Sequence, residues 1–223
     1  MLQSGGPFQE KSHAFTIHFD EVQLYAITDR SLFASREALL ACVTGWSAQG
    51  VDYVQIREKD LDARQLETLA CEVVDAIKKS GGRTSVLLNG PAEIAVTAGC
   101  DGIHLPSKMP AAAVVHAREA MLAISSAPII SVSCHTLADI EAARQAGASL
   151  AVFAPVFEKL TPAGKIPGQG LHALGEACRV AEPMPVFALG GVDEQNARGC
   201  IDAGAAGIAA IRLFVSGMWG AIR

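Results

Sequence analysis

The chain has 223 residues, half of them apolar and 18% charged, with a net charge of −5. No block of Lys and Arg is present, which argues against a nucleic-acid surface, and no apolar run approaches the ~20 residues of a membrane span. Six cysteines, at 42, 71, 100, 134, 178 and 200, form no C-x-x-C pair and have no His cluster at zinc spacing. They read as reduced thiols of a cytoplasmic protein rather than a disulfide or zinc framework.

Residues 1–20 are polar and mixed, lack the basic-then-apolar order of a signal peptide, and read as an N-terminal extension; 21–223 read as a single domain. From there one unit repeats: a short apolar run rich in β-branched residues, a turn, then a helix-period segment. The first unit predicts a strand at 22–28 and a helix at 35–49 closed by Gly50. The second predicts a strand at 51–58 and a helix at 62–80 closed by Gly81. Within that strand Gln55, Arg57 and Lys59 alternate on one face, while Val54 and Ile56 take the other. In a parallel barrel the apolar pair faces the helices, and the polar trio lines the mouth. Two cations converging there suit an anionic ligand; pairing with Glu58 or Asp60 is the structural alternative, though Glu58 has the wrong parity.

The third strand, 84–89, ends at Asn89, which either hydrogen-bonds a ligand or caps the helix at 91–98 that stops at Gly99. The fourth, 102–105, holds His104 mid-strand, where a hydrogen-bonded interior histidine is expected; a helix follows at 110–122. In the fifth, 129–134, Ser131 and Ser133 share a parity with His135, which comes last. An imidazole at a strand's C-terminal end is placed for proton transfer. A helix at 136–146 then stops at Gly147, and a sixth strand is predicted at 149–156. The stretch 157–170 is expected to be a long binding loop without structure of its own, with Thr161, Lys165 and Gln169 as contacts. After a helix at 170–181 comes the seventh strand, 185–189, followed directly by Gly190 and Gly191. A helix at 193–203, Gly204, an eighth strand at 207–212 and a short helix from 215 complete the chain. Glycines after the seventh strand, with Arg212 ending the eighth, predict a phosphate site of backbone amides plus one guanidinium.

Eight strand–helix units predict an α/β fold, a (β/α)8 TIM barrel; an open doubly wound sheet is the alternative, but no G-x-G-x-x-G follows the first strand.

Together these segments resemble the thiamine phosphate synthase/TenI family. The resemblance rests on LYAITD (24–29), YVQIREKD (53–60), LLNG (87–90), CDGIHL (100–105), SVSCHT (131–136), FAPVFEKLTPAGK (153–165), FALGGV (187–192) and AAIRLF (209–214). It implies a thiamine (vitamin B1) biosynthesis enzyme in which Gln55, Arg57, Lys59 and Asn89 hold a pyrimidine pyrophosphate. Ser133 and Thr161 would contact substrate, and Gly190, Gly191 and Ile211 a thiazole phosphate. The synthase branch joins the two substrates with magnesium. Where that branch carries Asp ligands this chain has Gly90 and Met109, and Arg212 replaces a common Ser.

The TenI branch needs no metal; it aromatises a thiazole phosphate carboxylate by moving a proton, and His135 matches its catalytic position. The expectation is a thiazole tautomerase with His135 as acid and base, no cofactor, no metal ligands, and a small-molecule thiazole phosphate as partner. A divergent synthase using Mg2+ and a catalytically silent ligand-binding regulator are the alternatives, and a homo-oligomer is compatible with the sequence.

Overall fold

The computed structural model describes residues 22–161 and 164–222; the expected 1–20 extension lies outside the described residues. Eight parallel strands close a barrel. They are β1 (Gln23–Ile27), β2 (Tyr53–Ile56), β3 (Ser85–Leu88), β4 (Gly102–Leu105), β5 (Ile129–Cys134), β6 (Leu150–Phe153), β9 (Val186–Leu189) and β10 (Gly207–Ala210), with β7 (Lys159–Thr161) and β8 (Gly164–Ile166) forming a separate hairpin. Closure runs through β1 against β10, with Gln23 opposite Gly207, so the open-sheet alternative is excluded.

Helices alternate with the strands: α1 (Arg36–Ala48), α2 (Ala63–Ser80), α3 (Ala92–Ala98), α4 (Ala111–Met121), α5 (Leu137–Gln145), α6 (Gly170–Ala181), α7 (Ala197–Asp202) and α8 (Arg212–Val215). Their starts are written in the sequence. Ser35 caps α1, Asp62 and Gln65 form a capping box on α2, and Thr136 and Asp139 form another on α5. The five stop glycines all take positive φ, from 69° at Gly99 to 102° at Gly204.

Side-chain alternation sorts the core into two layers. Leu24, Ala26, Val54, Ile56, Leu88, Ile103, Val132 and Cys134 face outward into the helix shell. Tyr25, Ile27, Leu87, Val152, Phe187 and Ala209 fill the barrel itself. Tyr25, Tyr53 and Phe187 meet edge-to-face with centroids 5.5–5.6 Å apart, which seals the lower barrel.

Four expectations are corrected. The stretch 157–170 is not structureless: β7 and β8 pair antiparallel inside it, and Lys165 bonds Glu158 at 2.8 Å rather than standing free. The second strand ends at Ile56, so Arg57 and Lys59 lie beyond the pleat and alternation does not fix where Lys59 faces. Arg212 is not the end of the eighth strand but the first residue of α8, because β10 stops at Ala210. The seventh helix starts at Ala197, since the Asp193 carboxylate accepts from the Gln195 and Asn196 amides and holds a turn instead.

Candidate active site

The barrel's interior is polar on one side. Gln55 on β2, His104 on β4, and Ser131 and Ser133 on β5 point inward, whereas β6, β9 and β10 contribute Val152, Phe187, Leu189 and Ala209. His104 is buried with both ring nitrogens engaged: Nδ1 lies 2.8 Å from Ser131 Oγ and Nε2 2.8 Å from Ser133 Oγ. The Tyr25 hydroxyl adds contacts of 3.3 Å to His104 Nδ1 and to Ser131 Oγ. Burial, reinforced by the nearby Arg57 charge, pushes the His104 pKa down to about 3, so the ring is neutral. His104 is thus the hydrogen-bonded interior histidine expected, and it fixes the hydroxyl of Ser133 below the mouth.

Gln55 is 1% exposed, and its Oε1 has no hydrogen-bond partner. A buried acceptor left without a donor costs ~1–3 kcal/mol. Asn89 does not cap α3: Pro91 occupies the N-cap position with no side-chain bond. Its Nδ2 instead reaches the His104 carbonyl at 3.4 Å and ties the ends of β3 and β4 together.

Arg57 and Lys59 make no ion pair among the described residues. The carboxylates suspected of neutralising them are used elsewhere. Glu58 accepts from Thr28 Oγ1 at 2.6 Å and from the Arg30 amide at 3.1 Å, and Asp60 pairs with the Arg30 guanidinium. Burial raises the Glu58 pKa, while Thr28 and the Arg30 amide pull it back. Glu58 therefore clasps the loop after β1 and forms no ion pair with the cation on either side of it.

His135 follows β5 directly at the rim. The Thr136–Asp139 capping box fixes its backbone, because Asp139 Oδ2 also accepts from the His135 amide at 2.9 Å. Its Nδ1 lies 2.7 Å from the Ala154 carbonyl oxygen. A carbonyl only accepts, so Nδ1 is the donor in this contact, and the neutral tautomer that makes it carries its lone pair on Nε2. Gln169 Nε2 bonds the same carbonyl at 3.0 Å, a contact made through the fold that no sequence spacing announces.

Across the mouth, Gly190 and Gly191 follow β9 with φ of 97° and 65°. A Cβ at Gly190 would lie 2.8 Å from Pro155 Cα, and one at Gly191 2.5 Å from the Glu158 carbonyl oxygen. Only glycine fits between this turn and the strand-6 loop. The amides of Gly190, Gly191 and Arg212 have no protein acceptor among the described residues. Ile211 is half-buried and the Arg212 side chain is exposed at the start of α8. The Thr161 side chain lies outside the described residues.

The family profile of thiamine monophosphate synthase matches residues 24–214. A putative thiamine-phosphate synthase of Geobacter sulfurreducens is 40% identical over 197 residues, 88% of each chain. A second, from Aquifex aeolicus, is 34% identical over 86% of this chain and 97% of its own length. A solved thiamine phosphate pyrophosphorylase from Pyrococcus furiosus superposes with a TM-score of 0.67 at 27% identity, covering 85% of both chains. Barrel and matches agree: the chain belongs to the thiamine monophosphate synthase family, the thiamine phosphate synthase/TenI group of thiamine-biosynthesis enzymes.

Proposed function

We propose that the chain is a thiazole tautomerase that aromatises a thiazole phosphate carboxylate by proton transfer. The observation that carries this reading is the tautomer of His135: with Nδ1–H held by the Ala154 carbonyl at 2.7 Å, Nε2 is the free base. Nε2 takes the proton from ring C2, the electron pair shifts through the conjugated system, and the imidazolium returns the proton to the exocyclic carbon. Atoms and charge balance without a leaving group or an oxidant. The Nδ1–H bond strengthens while the ring is charged and so stabilises the intermediate state. Arg57 and Lys59 hold the substrate carboxylate, and Gln55, Asn89 and Ser133 contact the ring, as does Thr161 from the strand-6 loop. The amides of Gly190, Gly191 and Ile211, with Arg212, hold the phosphate.

Magnesium, which the synthase branch uses, does not fit this rim. Gly90 offers no side chain and Met109 a soft thioether, where a hard cation wants carboxylate oxygens. No group of three or more His, Cys, Asp or Glu side chains at metal-binding spacing occurs among the described residues. We derive no step through a metal.

A second reading, a divergent thiamine phosphate synthase, is favoured by the names of the relatives. Parallel assays separate the two. A tautomerase converts the thiazole phosphate carboxylate equally with and without magnesium and releases no pyrophosphate from a pyrimidine pyrophosphate. Magnesium-dependent pyrophosphate release would establish the synthase instead. Turnover in neither assay, with thiazole phosphate still bound, would leave a binding protein. No helix among the described residues is long and apolar enough to cross a membrane, and all six cysteines are free.

A further inference from the structure

We propose that a groove on the outer shoulder of the barrel mouth, between α1 and α2, binds an organic anion with an apolar body, and that its occupancy is transmitted to the loop carrying Arg57 and Lys59. The groove has a volume of about 430 Å³. Its apolar floor is Phe33, Leu39, Leu61 and Leu69, and its cations are Arg30, Arg36 and Arg64. Among the described residues no Asp or Glu lines it, although the chain carries 23 acidic against 18 basic residues. A second groove, at the opposite end of the barrel, mixes Arg179 with Glu182 and Asp202 and shows no such bias.

Three of the remaining polar lining atoms already have a backbone partner. Ser35 Oγ accepts from the Ala38 amide, Gln65 Oε1 accepts from the Asp62 amide, and Thr68 Oγ1 donates to the Arg64 carbonyl. The guanidinium groups are the charged donors of the lining, with the Gln65 side-chain NH2 beside them. Arg64 has no ion pair among the described residues, and Arg30 and Arg36 each engage one carboxylate, Asp60 and Glu72. Each guanidinium has five N–H donors, so one such pairing leaves donors for an anion. Three cations beside an apolar floor select a carboxylate or phosphate joined to a hydrophobic group over a free inorganic ion.

Arg30 links this groove to the mouth. Its amide donates to both oxygens of Glu58 at 3.1 Å and its side chain pairs with Asp60, so it grips the residues on either side of Lys59. An anion that takes up the spare Arg30 donors draws the guanidinium toward the groove, weakens its grip on Asp60 and loosens that loop.

The test uses the full chain and anilinonaphthalene sulfonate, a fluorescent anion with an apolar body, and needs no turnover. It can therefore fail or succeed independently of the tautomerase reading. Saturable binding is expected, weakened about tenfold or more by Arg64→Glu, largely retained by Arg64→Lys, and unaffected by Arg57→Ala. Amide hydrogen exchange of residues 57–60 should rise when the probe binds the wild type and stay flat in Arg64→Glu, with circular dichroism confirming that each variant folds. Binding that survives Arg64→Glu but is lost in Arg57→Ala would put the probe in the mouth and overturn the site. Binding in the groove with no change in exchange would overturn the coupling.

Discussion

At the scale of single residues the histidine inside the barrel and the one at its rim have opposite assignments, and environment alone decides between them. His135 keeps one nitrogen free at the rim, whereas His104 has both nitrogens occupied in a buried network. His135→Ala should lower tautomerase kcat by about 10²–10⁴-fold, the usual worth of a general acid–base, while calorimetry still finds thiazole phosphate bound. Unchanged kcat would remove His135 from the mechanism. His104 makes a stability prediction. Its folded pKa, about 3, lies below the ~6.5 of an unfolded histidine, so the unfolded chain takes up the proton first as pH falls. The stability it contributes is full above pH ~6.5 and is lost progressively down to about pH 3. Replacing it with Asn removes that dependence. The gap in unfolding free energy between wild type and His104→Asn should therefore narrow by about 1.4 kcal/mol per pH unit below pH ~6.5. Urea titrations at several pH values would show it; a gap constant with pH would mean that His104 is not held neutral.

At the scale of elements, the turn after β9 and the loop after β6 depend on each other. The Phe157 amide donates to the Gly190 carbonyl at 2.9 Å and the Val156 amide to the Leu189 carbonyl at 2.9 Å. Gly190→Ala combines a φ of 97° with a Cβ 2.8 Å from Pro155 Cα, so strain and steric conflict add. Gly147→Ala, at φ 79° with nothing within 4 Å, carries the strain alone. We expect Gly147→Ala to cost about 1 kcal/mol and Gly190→Ala clearly more, with weakened thiazole phosphate binding only in the latter. Equal costs would show that the loop yields. The elements also mark what the chain made legible. Each barrel strand announced itself by composition, and the stop glycines by spacing, because both are local signals. The β7–β8 hairpin did not, since KLTPAGKI contains Pro and Gly but no long alternation, and six paired residues make a weak pattern. At the site, parity exposed Gln55, Ser133 and His135. The partners that define their states, His104 for Ser133 and the Ala154 carbonyl for His135, sit 29 and 19 residues away and follow only from closure.

For the whole molecule, closure rests on a seam where the two ends of the barrel sequence meet. β10 begins with Gly207, directly opposite Gln23 of β1. A Cβ at Gly207 would lie 2.1 Å from the Gln23 carbonyl oxygen and 2.8 Å from Phe187 Cε1. The first obstacle is backbone, which cannot rotate away, and the second is a ring packed on Tyr25 and Tyr53. Glycine is demanded here by close approach, not by φ. Gly207→Ala must push β10 from β1, which breaks ladder pairs at the seam that spare the sheet its edges. Overpacking of this kind costs typically 1–3 kcal/mol, and with main chain as the obstacle the upper end, about 3 kcal/mol, is expected. Gly220→Ala, where an added Cβ meets nothing within 4 Å, is the matched control. Urea unfolding should move the Gly207→Ala midpoint down and leave Gly220→Ala near wild type. An unchanged slope would mean that the variant still closes at a cost, whereas a reduced slope would mean that the seam opens in the native state and exposes surface before unfolding. Because Gly190 directly follows β9 and Arg212 starts α8 just beyond β10, an opened seam also predicts, on the proposed phosphate site, loss of thiazole phosphate affinity in step with the slope.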